Sequence, residues 1–158
     1  MERCRVIVKK IIDLSHDIID QMLVHPYDDE VYLYQDKYLV EDKYNNFRLE
    51  IGMHTGTHID TPMHLTEDNR YINEYPLERF IGNGCLLDVR NENIISYRQE
   101  YRNIVSENDI VLLFTNHSIK YGTEDYYTEH SVISGELSDF FIEKYIKMIG
   151  MDLPSPDT

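Results

Sequence analysis

The residues with the most chemistry in this chain stand together in one stretch, His54-Thr55-Gly56-Thr57-His58-Ile59-Asp60-Thr61-Pro62-Met63-His64. Two imidazoles and a carboxylate suit a single divalent ion, each donor about 2.0–2.2 Å from the metal and roughly 3–3.5 Å from the next donor. On a straight strand His54 and His58 would stand about 13 Å apart. A helix would bring them together at i and i+4, but Gly56 and the β-branched Thr55 and Thr57 are weak helix formers, and Pro62 blocks continuation. The segment therefore reads as a tight bend, with Gly56 supplying the unusual dihedrals and Pro62 fixing the exit. Such a bend gathers His54, His58 and Asp60 around one point, leaves a coordination position for water, and keeps His64 nearby as an uncommitted base. Three protein ligands with an open position is the arrangement of a catalytic metal rather than a structural one. One histidine alone would read as a surface or core side chain; this cluster does not.

Positioning falls to the flanking elements. Val6 to Leu14 is short, β-branched and apolar, and predicts a first strand. Residues 20–46 are polar and tyrosine-rich without a clean period, with a strand at Val31–Tyr34; a long irregular stretch of this kind is functional or mobile. Phe47, Leu49 and Ile51 alternate with Arg48 and Glu50, a half-buried strand leading into the histidines. Ile81–Val89 reads as a turn feeding a buried strand, and Asp109–Phe114 as a strand covered on both faces. A helix lies between Ser134 and Lys147, capped by Ser134 or Ser138, with Leu137, Phe141, Tyr145 and Met148 as its apolar stripe and Gly150 as its stop. Met148–Leu153 begins one more strand. Strands dominate and helices are few, which predicts a mixed α/β layered fold. No repeat, low-complexity tract or linker divides the chain, so residues 1–158 read as one domain.

Composition narrows the partners. The 158 residues carry 15 basic and 29 acidic side chains, a net charge of −14, so phosphate repels the chain and nucleic acid and anionic membrane surfaces are excluded as partners. Cys4 and Cys85 fit no metal or redox spacing and read as reduced thiols of a cytosolic protein. The opening residues hold too short an apolar run for a signal peptide, and no stretch is able to span a bilayer; the expectation is a soluble, cytoplasmic protein. The thirteen tyrosines read as packing on strand faces and subunit contacts. Asp28-Asp29-Glu30 lacks the spacing of a calcium loop and reads as a solvated face. His16 is read either as lining the site and hydrogen-bonding a ligand, or as a packing residue.

His54-x-Gly56-Thr57-His58-x-Asp60-x-Pro62-x-His64 resembles the signature of the metal-dependent cyclase family, which includes bacterial kynurenine formamidases and isatin hydrolases. The likeness runs along the chain. Asp13-Leu14-Ser15-His16 resembles the family's opening block, Gly84-Cys85-Leu86-Leu87-Asp88-Val89 its strand after the signature, and Asp109–Thr115 with Lys120–Tyr127 its next block. Gly150-Met151-Asp152-Leu153-Pro154-Ser155 resembles the family's Gly-Ile-Asp-x-Pro-Ser. The resemblance implies a swivelling β/β/α fold and hydrolysis of a small amide or formamide. It implies His54, His58 and Asp60 as metal ligands, His64 as general acid/base, and Zn²⁺ or Mn²⁺ as the ion, since imidazole plus carboxylate suits both.

Three departures accompany it. Family members continue beyond Pro-Ser-x-Asp into a segment supplying a further histidine and a glutamate to the metal centre; this sequence stops at Asp157-Thr158 and its last histidine is His130. The expectation is a C-terminally short relative: a fragment, a one-metal centre, or a chain without catalysis. Formamidase members carry a tryptophan in the early loop where this chain has Val24-His25-Pro26-Tyr27-Asp28 and no tryptophan anywhere, so His25, Tyr27 and Phe47 are the substrate-side candidates. Asn116-His117 replaces a frequent Gly-Trp, and His117 is read either as facing the pocket or as a partly exposed structural histidine. Two functional classes follow: a metal-dependent hydrolase of a carbon–nitrogen bond in a small molecule, or a non-catalytic relative that binds a metal or small ligand. A homodimer or homotetramer is expected in either.

Overall fold

The structure is a computed structural model and describes residues 10–157. It divides into two compact units, Met1–Ile59 and Asp60–Thr158.

In the first unit, strand β1 (Tyr32–Lys37) leads through one helical turn, α1 (Leu39–Asp42), to strand β2 (Asn46–Glu50), which pairs with it antiparallel. Leu33 faces Leu49 and Gln35 faces Phe47 across the ladder. The register shifts between Gln35 and Lys37. At that irregularity the Asp36 carboxylate accepts from Asn46 Nδ2 at 2.7 Å and from Arg48 Nε at 2.9 Å. These bonds stabilise its charged form and lower its pKa. Ahead of β1, Val31 and Met22 are buried. The Gln21 N–H donates to the Val31 carbonyl at 3.0 Å, and the Leu33 N–H donates to Asp20 Oδ1 at 2.8 Å.

The expected strand at Val31–Tyr34 is therefore present, one residue later and longer. β2 is present too, but all of its residues are exposed rather than alternately buried, because two strands alone offer no facing layer. Of the expected Val6–Leu14 strand, residues 6–9 lie outside the described residues and 10–14 form no strand. Instead Asp13 accepts from the Ser15 N–H at 2.9 Å and from the Ser15 hydroxyl, a local turn that competes with sheet pairing.

In the second unit the order is β3 (Gly84–Asp88), β4 (Ile94–Ile95), α2 (Tyr101–Ile104), β5 (Ile110–Phe114), α3 (Asp125–Thr128), β6 (Val132–Ile133), α4 (Gly135–Glu143) and β7 (Met148–Met151). Strands β3, β5 and β7 form a parallel sheet in that order, and β4 pairs parallel with β6. Cys85 and Leu87 of β3 point into the core while Leu86 is 62% exposed, so the expected buried strand is covered on one face. Central β5 buries Val111 and Leu113 and half-buries Ile110, Leu112 and Phe114, closer to the two-sided cover its apolar run predicts.

Helix α4 closes the core with Leu137, Phe140 and Phe141, all buried; each contributes on the order of 1.5–3 kcal/mol by leaving water. Ser134 caps it, its hydroxyl accepting from the Leu137 N–H at 3.2 Å. The helix ends at Glu143, not at Gly150, because Tyr145 takes φ +50 and is exposed. Met148 and Gly150 belong to β7 instead. The expected stripe thus keeps Leu137 and Phe141 and loses Tyr145 and Met148.

Two sequence blocks far apart in the chain meet at the ends of β5 and β7. Asp152 accepts from the Thr115 N–H at 2.8 Å, the Thr115 hydroxyl at 2.6 Å and the Ser118 hydroxyl at 3.3 Å. His117 is buried, not partly exposed, and its Nε2 lies 2.9 Å from the Tyr126 carbonyl. Cys85 is a free, buried thiol, its pKa raised chiefly by burial; Cys4 lies outside the described residues. Among the described residues no helix is long and apolar enough to cross a membrane.

Candidate metal centre

After β2 the chain leaves the ladder through Ile51-Gly52 and folds on itself. The Thr55 N–H donates to the Gly52 carbonyl at 3.2 Å, and Thr55 is buried beneath the bend. Gly56 follows at φ +66, the left-handed region where a Cβ is strained. Pro62 then opens a 3-10 turn, Pro62–His64, as its first residue. The turn is closed by the His64 N–H donating to the Thr61 carbonyl at 2.9 Å. Both expectations for the bend, glycine as pivot and proline at the exit, are met.

The consequence is convergence. The rings of His54 and His58 are 5.3 Å apart, centre to centre, and inclined at 74°. One ligand atom from each of His54, His58 and Asp60 lies within 4.8 Å of the others. Two donors on one ion sit at most about 4.2 Å apart, twice a bond of ~2.1 Å. A small inward adjustment of exposed side chains therefore suffices. Two nitrogens and one carboxylate oxygen are a donor set that zinc, manganese and related ions accept, and all three residues are exposed, leaving room for water and substrate. The trio fits a metal.

One hydrogen bond defines how His58 enters it. His58 Nδ1 lies 2.9 Å from the Gly56 carbonyl oxygen. A carbonyl only accepts, so this contact is a hydrogen bond when the ring carries a proton on Nδ1, an arrangement that turns Nε2 toward a metal. His16 sits beside the same loop through its backbone: its N–H donates to Thr57 Oγ1 at 2.9 Å. That contact, unlike the ligands, was not legible in the sequence; a hydroxyl residue between two ligands was its only signal.

The remaining candidates are placed as follows. His64 is exposed on the 3-10 turn and is not among the three converging ligands. His25 and Tyr27 pack ring to ring at 5.4 Å, with Tyr27 93% exposed. Phe47 lies on β2 opposite Gln35 and is 62% exposed.

The Cyclase family model matches residues 12–158, almost the whole described chain. The chain belongs to the Cyclase family. Its similar proteins include the kynurenine formamidases of Bacillus cereus, 26% identical over 149 residues, and Bacillus mycoides, 28% identical over 149 residues. Both alignments cover 92% of this chain and 69% of the relative. Among solved structures, a potential metal-dependent hydrolase with cyclase activity superposes with a TM-score of 0.75 at 23% identity. Isatin hydrolase A from Labrenzia aggregata does so with a TM-score of 0.75 at 20% identity. Each covers 94% of this chain and 70% of the other. These structures share the chain's mixed α/β fold. By name the relatives are kynurenine formamidases, and the structural neighbours are an isatin hydrolase and a potential metal-dependent hydrolase.

Proposed function

We propose that this Cyclase family member hydrolyses a small amide or formamide, in the manner of an arylformamidase, with His54, His58 and Asp60 holding a divalent zinc or manganese ion. The observation that carries the reading is the convergence of those three side chains within 4.8 Å in one loop. When bound, the ion supplies Lewis acidity at neutral pH. The protein's own residues do the rest. His58, its Nδ1 turned to the Gly56 carbonyl, offers Nε2; His54 adds a second imidazole; the Asp60 carboxylate offsets the ion's charge.

His64 carries the proton. Imidazole is the side chain whose ordinary titration spans neutral pH, so it serves both as base and as acid. It accepts a proton as water oxygen bonds to the carbonyl carbon, then delivers it to the departing nitrogen as the carbon–nitrogen bond breaks. Acid and amine are the products, and no other reactant is needed. His25, Tyr27 and Phe47 are the substrate-side residues in this reading, and the chain works as a homodimer or homotetramer in the cytoplasm.

The test is metal content per chain on protein purified without chelator, repeated on His58→Ala, followed by a panel of formamides, esters and lactams. Bound zinc or manganese that the variant lacks, with turnover of a formamide, is the expected result. Protein that takes up no ion, even when ions are added, overturns it. The exposure of the whole trio favours one second reading, a relative that binds a metal or small ligand without turnover. That reading requires no hydrolysis of any compound in the panel, with or without metal uptake.

A further inference from the structure

Three residues stand between His54 and His58, and two of them, Gly56 and Thr57, hold the loop. Gly56 and Thr57 each make a hydrogen bond that bears on how the loop is held, and neither carries a donor for the ion. The Gly56 carbonyl, aimed by a backbone at φ +66, receives His58 Nδ1 at 2.9 Å. Next to it, the Thr57 hydroxyl receives the His16 backbone N–H at 2.9 Å, tying the loop to a segment 41 residues earlier. That segment is itself stiffened where Asp13 accepts both the Ser15 N–H and the Ser15 hydroxyl.

We propose that Gly56 and Thr57 are positioning residues of the metal centre. Gly56 sets the tautomer and ring orientation of His58, and Thr57 anchors the loop to the Asp13–His16 turn. This rests on the metal-binding reading above.

The physical reason is entropic as well as geometric. Three exposed ligands on a short loop sample many arrangements, and an ion that must gather them loses affinity in proportion to that freedom. A hydrogen bond to the far nitrogen of a ligating imidazole removes ring flipping and makes the near nitrogen more basic. A tether at the residue preceding that ligand restricts the backbone that carries it. Gly56 is suited to its part because the left-handed backbone turns its own carbonyl back toward the His58 ring. A side chain at that position is strained by the backbone conformation alone.

The test uses Thr57→Val, which keeps the shape and removes the acceptor, and Thr57→Ser, which restores it. Zinc affinity is measured by chelator competition, with the d–d absorption of the Co²⁺-loaded protein as a second readout and circular dichroism as the check on folding. Thr57→Val should weaken zinc about tenfold, at the lower end of the loss usual when an outer contact of a metal ligand is removed. Its cobalt band should shift, and Thr57→Ser should bind zinc as the wild type does. Equal affinity in Thr57→Val, or a Thr57→Ser as weak as Thr57→Val, overturns the anchoring role.

The tautomer is read separately on metal-free ¹⁵N-labelled protein by long-range proton–nitrogen correlation, with His58 assigned by its loss in His58→Ala. A protonated Nδ1 supports the Gly56 role and a protonated Nε2 alone overturns it. Because this arm needs no ion, a wild type that binds no zinc defeats the metal reading while the His58–Gly56 bond is still decided.

Discussion

Gly150 of β7 sits opposite Leu112 of β5, and a Cβ at position 150 would stand 2.6 Å from Leu112 Cδ2. The glycine is there for close approach and not to stop a helix. Gly150→Ala is expected to overpack this contact and lower stability by about 1–3 kcal/mol, read as a fall in the urea midpoint. Leu112→Ala in the same chain vacates the space, so the double variant should lose less than the sum of the singles. Strict additivity would show that the contact is not what excludes a side chain.

The roles of His58 and His64 separate experimentally. His58→Ala should lose bound metal and turnover together. His64→Ala should keep its metal and lose turnover by about 10²–10⁴-fold, the usual contribution of a positioned acid/base. Metal analysis beside initial rates checks both. A His64→Ala enzyme of undiminished rate would remove that residue from the chemistry.

Thr55 lies buried in the bend, and its hydroxyl has no hydrogen-bond partner among the described residues. A buried polar atom without a partner costs free energy that a methyl group of the same shape does not. Thr55→Val should therefore be neutral or stabilising by up to about 1 kcal/mol, seen as an unchanged or raised Tm. A clear drop in Tm would mean that the hydroxyl is satisfied in solution.

Burial pushes the Tyr126 phenol up to about 12, against an ordinary value of about 10. Its folded pKa is the higher one, so the unfolded chain gives up that proton first. The contribution of this tyrosine is intact below pH ~10 and is lost as pH rises from there through the folded pKa. Tyr126→Phe should flatten the fall in stability across that alkaline window, measured by urea unfolding at successive pH values. An identical slope in the variant would place the phenol in water.

The ligand loop was legible because its information is local. His54, His58 and Asp60 are close in sequence, and a glycine and a proline supply the only turn chemistry able to fold them together. Strand β5 and the Ser134 cap were legible for the same reason, each resting on a run or a pair of neighbouring residues.

Other features depend on what packs where. Tyr145 continues the helical period of Leu137 and Phe141, yet the chain breaks at φ +50 there. The Lys147 N–H instead donates to the Asp109 carbonyl at 2.8 Å, and Met148 enters the sheet beside Ile110. Alternation in β2 signals a strand but does not create a layer to cover it, so its apolar residues remain exposed.

The sequence by itself determined the family, the bend and the closeness of His54, His58 and Asp60, because residue type and short spacing carry them. Tertiary structure decided that Asp152 would meet Thr115, that Gly150 would face Leu112, and that the His16 amide would hold Thr57. Those pairs lie tens of residues apart, and their hydrogen bonds and contacts exist only once chain folding has closed the loops between them.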